Sequence, residues 1–199
     1  GLNEHTRATA DKIAELGYIA FAVDVYGKGI RGDTVGDNSH LMQPLIEDRT
    51  ALRDRLLAAV EAAKALEFTD PERLGAMGYC FGGLCALDLA RNSPEGLSCA
   101  LSFHGLLTSP DYDIPGQIAP RLLLLHGWED PMAPPTEVVA ELRAFTEAGA
   151  TWEMHAYGHA MHAFTFTGAN YPERGIAHHP LADQRSWKAA VDFIEECMR

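Results

Sequence analysis

Gly78-Tyr79-Cys80-Phe81-Gly82-Gly83, followed at once by Leu84-Cys85-Ala86-Leu87, is the stretch on which the reading of this chain turns. Residues 74–79 are short and largely apolar, as a strand is, and the apolar run behind them reads as a helix over 83–91. Between the two lies the Gly-x-nucleophile-x-Gly arrangement of a strand-to-helix elbow, with Cys at its centre. Such a turn strains its central residue, and side chains at positions 78 and 82 are expected to collide with neighbouring backbone. The start of the helix directs N–H groups and partial positive charge at the Cys80 sulfur, which favours a thiolate and any oxyanion formed beside it. The common fate of a free cysteine is that of a small buried hydrophobe, but the flanking glycines favour a nucleophile. Cys85, Cys99 and Cys197 lack such surroundings and read as packing residues.

Strand and helix alternate on both sides of the elbow. Asn3 suits an N-cap, with Ala10, Ile13 and Leu16 at helical spacing until Gly17. The continuous apolar run Tyr18-Ile19-Ala20-Phe21-Ala22-Val23 reads as an interior parallel strand. Residues 26–40, with Gly27, Gly29, Gly32 and Gly36, read as a long surface loop. An amphipathic helix is expected over 44–66, its charge run forming a solvated face. Further strands are expected at 98–103, 121–126 and 151–157, and further helices at 136–148 and 183–198. This order predicts an α/β fold with a mainly parallel sheet, helices on both faces and ligands at the carboxyl ends of the strands. No repeat or linker divides residues 1–199, which read as a single domain.

Composition narrows the function classes. The formal net charge of −12 disfavours binding to nucleic acid or anionic lipid. Apolar runs such as Leu122-Leu123-Leu124-Leu125 fall far short of the roughly 18 to 20 residues that span a bilayer. Four unpatterned cysteines suit a reducing, cytoplasmic location, and the first residues do not resemble a signal peptide. Gly27-Lys28-Gly29 lacks the third glycine of a dinucleotide fingerprint, and no P-loop is found. There is no Gly-x-Ser-x-Gly, and Ser102 reads as strand interior.

An elbow nucleophile requires a base and an orienting acid, in the chain order nucleophile, acid, histidine. Asp130, in the loop closing strand 121–126, is placed to orient an imidazole, although Asp before Pro131 also suits an ordinary turn. Glu129 competes for the role but is expected to face solvent. After strand 151–157 come Gly158-His159-Ala160-Met161-His162-Ala163-Phe164, and His162, anchored by the apolar pair after it, is the preferred base, with His159 the alternative. A metal site at His155, His159 and His162 is disfavoured because His155 and His159 share a face only on a helix that Gly158 opposes. His178 and His179 read as surface residues.

These motifs together, Gly78 to Gly83, His126-Gly127-x-x-Asp130-Pro131 and His162-Ala163-Phe164, resemble the dienelactone hydrolase family of the α/β-hydrolase superfamily. Gly1-Leu2-Asn3 and Val23-Asp24-Val25-Tyr26-Gly27 are similar to family landmarks as well. The resemblance implies an ester or lactone hydrolase with a Cys80-His162-Asp130 triad. It implies a thioester acyl-enzyme, an oxyanion donor at the N–H of Phe81, and no metal or organic cofactor. It also implies strands upstream of Gly1 and a second oxyanion donor just before it, so the 199-residue chain is expected to be a fragment of reduced activity. Where dienelactone-specific members carry carboxylate-gripping arginines, this sequence has Lys28 and Phe166, so a different ester or lactone is the expected substrate. The alternative reading is a catalytically silent scaffold that binds a hydrophobic small molecule or a protein partner.

Overall fold

The computed structural model of the chain describes residues 1–33, 37–114 and 116–199. They form two compact units, Gly1–Pro71 and Glu72–Arg199. In the first unit, helix α1 (Glu4–Glu15) begins where expected, the Asn3 side chain accepting a hydrogen bond from the Thr6 N–H at 2.9 Å. The apolar run at 18–23 is not a strand, contrary to expectation: it joins no ladder, and Ile19, Phe21 and Val23 remain exposed. A strand exists only through its neighbours, and no described segment lends this one the partner its backbone groups need. The glycine-rich stretch after it turns at Gly27 and Gly29, both at positive φ, with Lys28 exposed between them. Gly36, assigned to the same loop by sequence, lies outside the described residues.

The helix expected over 44–66 is two helices, α2 (Ser39–Glu47) and α3 (Arg49–Lys64). Asp48 breaks the path at φ −120° and ψ 77°, and its carboxylate then caps α3 by accepting the Ala51 N–H at 2.9 Å. Pro44 sits inside α2, so the loop reading of 26–40 overran the start of that helix at Ser39. Leu52, Leu56 and Val60 recur every fourth residue as the buried stripe of α3.

The second unit is built on four strands, β1 (Leu74–Tyr79), β2 (Leu97–Phe103), β3 (Arg121–Gly127) and β4 (Trp152–Tyr157), in spatial order β1-β2-β3-β4 with every pair parallel. Helix α4 (Phe81–Arg91) joins β1 to β2, α5 (Pro135–Glu147) joins β3 to β4, and α6 (Pro180–Cys197) ends the chain; α4 packs on β1 and β2, and α6 on β2 and β3. The inner strands β2 and β3 are buried almost throughout, which is why they read as unbroken apolar runs. On β4 burial alternates from Trp152 to His155, as an edge strand with one solvated face requires.

A buried ionic cluster ties α4 to α5. Arg91 pairs with Asp88 at 2.8 Å and also with Glu141, which accepts the Ser109 hydroxyl at 2.7 Å, while the guanidinium lies over the Phe145 ring. One small element escaped the sequence reading: a hairpin of β5 (Asn170–Tyr171) and β6 (Ile176–Ala177) around a short 3₁₀ turn at Pro172–Arg174. His178 and His179 are also better integrated than expected. Both are half-buried, and His179 Nδ1 caps α6 by accepting the Ala182 N–H.

Candidate active site

β1 ends at Tyr79 and α4 begins at Phe81, which leaves Cys80 alone to make the turn, at φ 53° and ψ −121°. Such backbone costs a non-glycine residue on the order of 1–3 kcal/mol, so it persists only where its surroundings enforce it. One enforcing contact is the close approach of Gly78 to Gly82: a Cβ on Gly78 would overlap the Gly82 carbonyl. The expected collision at position 82 is absent, however, because a Cβ there meets nothing within 4 Å. Gly82 points away from the elbow as part of the first turn of α4. The packing constraint falls instead on Gly83, whose Cβ would come within 2.5 Å of Ser102 Oγ. Ser102 itself is buried within β2, as expected.

His162 reaches Cys80 from the loop after β4. Its Nε2 lies 3.1 Å from Cys80 Sγ, and its Nδ1 lies 2.8 Å from Asp130 Oδ2. Asp130 and His162 are both buried, while Cys80 retains partial exposure. The second Asp130 oxygen accepts the Met132 N–H at 2.8 Å, so the carboxylate is fixed on both sides. The hairpin missed by sequence holds the histidine: the His162 N–H donates to the Gly175 carbonyl at 2.9 Å, and the His162 carbonyl accepts the Ala177 N–H at 3.1 Å. Gly175, at φ 70°, lies so close to Pro131 that a Cβ would overlap the proline ring. The only sequence signals for this clasp are Pro172 and Gly175, and neither has a partner visible along the chain.

Burial alone would disfavour a charged His162, yet the hydrogen bonds to Asp130 and Cys80 outweigh it and push the imidazole up to about 10. Neighbouring His126, buried at the end of β3 with no hydrogen-bond partner for either ring nitrogen among the described residues, is shifted the opposite way by burial. His159 does not join Cys80. Its exposed ring meets Glu129 Oε1 at 2.9 Å, and Glu129 faces solvent as expected. His155 lies beside Glu153, so the three histidines weighed as metal ligands point to three different partners. Phe81, the expected oxyanion donor, opens α4 immediately after Cys80. Phe166 is half-buried four residues beyond His162, whereas Lys28 belongs to the first unit.

A sequence profile of the Dienelactone hydrolase family matches residues 1–198. The chain belongs to that family. Membership makes it a hydrolase of ester or lactone bonds. An uncharacterised protein of Caenorhabditis elegans is 35% identical over 148 residues, 73% of this chain and 93% of that protein. A proposed carboxymethylenebutenolidase of Aquifex aeolicus is 28% identical over 95% of this chain and 79% of its own length. Among solved structures, a dienelactone hydrolase-like promiscuous phosphotriesterase from metagenomic libraries superposes with a TM-score of 0.92 at 32% identity, over 100% of this chain and 83% of that one. The parallel sheet with its flanking helices is accordingly that of the α/β-hydrolase fold. Among the described residues, no helix is long and apolar enough to cross a membrane.

Proposed function

We propose that this family member cleaves a carboxylic ester or lactone through a Cys80-His162-Asp130 triad and a thioester acyl-enzyme. The observation that carries the reading is the continuous line of contacts from Cys80 Sγ through both ring nitrogens of His162 to Asp130. His162 takes the thiol proton and Asp130 stabilises the resulting imidazolium, a sharing of charge that fits the upward shift of His162. The thiolate attacks the substrate carbonyl, and the Phe81 N–H at the positive end of α4 supports the oxyanion. As the tetrahedral intermediate collapses, His162 returns the proton to the departing alkoxide. It then deprotonates a water that attacks the thioester, and Cys80 regains its proton as the acid leaves. No step draws on a metal or an organic cofactor.

The substrate we propose is a small ester or lactone other than dienelactone, since Phe166 offers apolar contact and no grip on a carboxylate. Four free cysteines fit a cytoplasmic location. Turnover of small aryl esters and lactones by the wild type and by Cys80→Ala, His162→Gln and His159→Gln tests the mechanism. Cys80→Ala and His162→Gln are expected to fall to background, with His159→Gln active. An acyl adduct on Cys80 should be captured by mass spectrometry after rapid quenching. Full turnover by Cys80→Ala would overturn the reading, and a wild type that binds these esters without cleaving them would favour the scaffold alternative.

A further inference from the structure

One buried side chain beside the site has no part in the proton path above. His104 follows β2 at φ 38°, in a backbone conformation that few non-glycine residues adopt, and its N–H donates to the Leu125 carbonyl at 2.8 Å. Its ring is buried against Tyr79, Phe164 and His162. The contact with His162 is edge-on, with centroids 5.3 Å apart and planes at 67°. His104 Nε2 lies 2.8 Å from Thr165 Oγ1, three residues beyond His162 on the same loop. His104 therefore touches the imidazole directly and also holds the loop that carries it. Without such a wall the His162 ring could turn about its side-chain torsions and lose one of its two partners, since Cys80 and Asp130 are reached by opposite ring nitrogens.

We propose that His104, anchored by the Thr165 hydroxyl, is a positioning residue that keeps the His162 ring in the single orientation that faces Cys80 and Asp130 at once. The inference rests on the triad reading. The groups facing His162 are Cys80 at the elbow, Asp130 in the loop after β3, His126 on β3 and His104 after β2; Cys80 and Asp130 bond the imidazole itself, whereas His104 packs on it and bonds the loop at Thr165.

The experiment follows alkylation of Cys80 by iodoacetamide across pH, with peptides resolved by mass spectrometry, alongside kcat and KM for an aryl ester. Wild type, His162→Gln, His104→Ala, Thr165→Val and Thr165→Ser are compared. Thr165→Val keeps the volume and removes the anchor, whereas Thr165→Ser keeps the hydroxyl. Both His104→Ala and Thr165→Val are expected to move half-maximal alkylation to higher pH and to lower kcat about 10- to 100-fold with KM little changed. Thr165→Ser should stay close to wild type. If His104→Ala does not fold, the Val and Ser pair still decides. A wild-type alkylation profile that depends on His162 and is left in place by His104→Ala and Thr165→Val overturns this proposal alone, as does a Thr165→Ser that falls with Thr165→Val. A wild-type profile indifferent to His162→Gln overturns the triad reading and this proposal with it.

Discussion

Cys80 and His162 make a predictable pair because each is locked from its own side, one by a strained turn and the other by two carboxylate and thiol contacts. The His162 proton is held more tightly in the folded chain, with the imidazole raised from 6.5 to about 10. Its contribution to stability is complete below about pH 6.5 and is lost as pH rises through that upper value. Urea midpoints of wild type should therefore decline across this window, and Asp130→Asn should flatten the decline. The same substitution is expected to cut ester turnover on the order of a thousandfold or more by leaving the imidazole misoriented. Cys99 behaves differently: its hydrogen bond with Cys197 and its burial push that thiol up, while the same contact, against burial, and the nearby Arg121 lower Cys197. Labelling experiments on Cys80 accordingly read its peptide separately from that of Cys197, which is also partly exposed.

At the scale of elements, the elbow glycines separate sharply. Gly78→Ala drives a methyl into the Gly82 carbonyl and should destabilise by about 1–3 kcal/mol or more, while Gly82→Ala, with open space and a helical position, should stabilise by up to about 1 kcal/mol. Thermal unfolding of the two variants distinguishes them. Asp48→Ala removes the cap of α3 and is expected to cost about 1 kcal/mol, read as a lower urea midpoint. What the sequence made legible follows the same physics. β1 to β4 were readable within a residue: edge strand β1 is marked by the elbow that ends it, edge strand β4 by its alternating polar and apolar residues, and β2 and β3, buried almost throughout, by unbroken apolar runs. The run at 18–23 carried the same signature, but apolarity reports a wish for burial and cannot supply a neighbouring strand. Asp48 was hidden within a charge run that reads equally well as a solvated helix face. The two-residue strands around 172–174 are too short for any period, so the clasp on His162 was invisible although His162 itself was not.

For the molecule as a whole, the Asp88-Arg91-Glu141 cluster is a liability that its completeness conceals. Arg91→Ala would leave two buried carboxylates without their guanidinium and should cost about 3–5 kcal/mol, whereas replacing all three residues with apolar side chains of similar size should cost far less; urea titration of both variants tests the contrast. The parallel sheet has a different consequence. Cys80 and His162 stand 82 residues apart along the chain, and every strand pair between them must wait for a crossover to close. Contacts so remote in sequence form slowly, because the entropy of closing each loop is lost before any pairing rewards it. A chain refolding from denaturant would regain helical signal well before the sulfur meets its imidazole, so the return of ester cleavage should mark the final kinetic phase rather than the first.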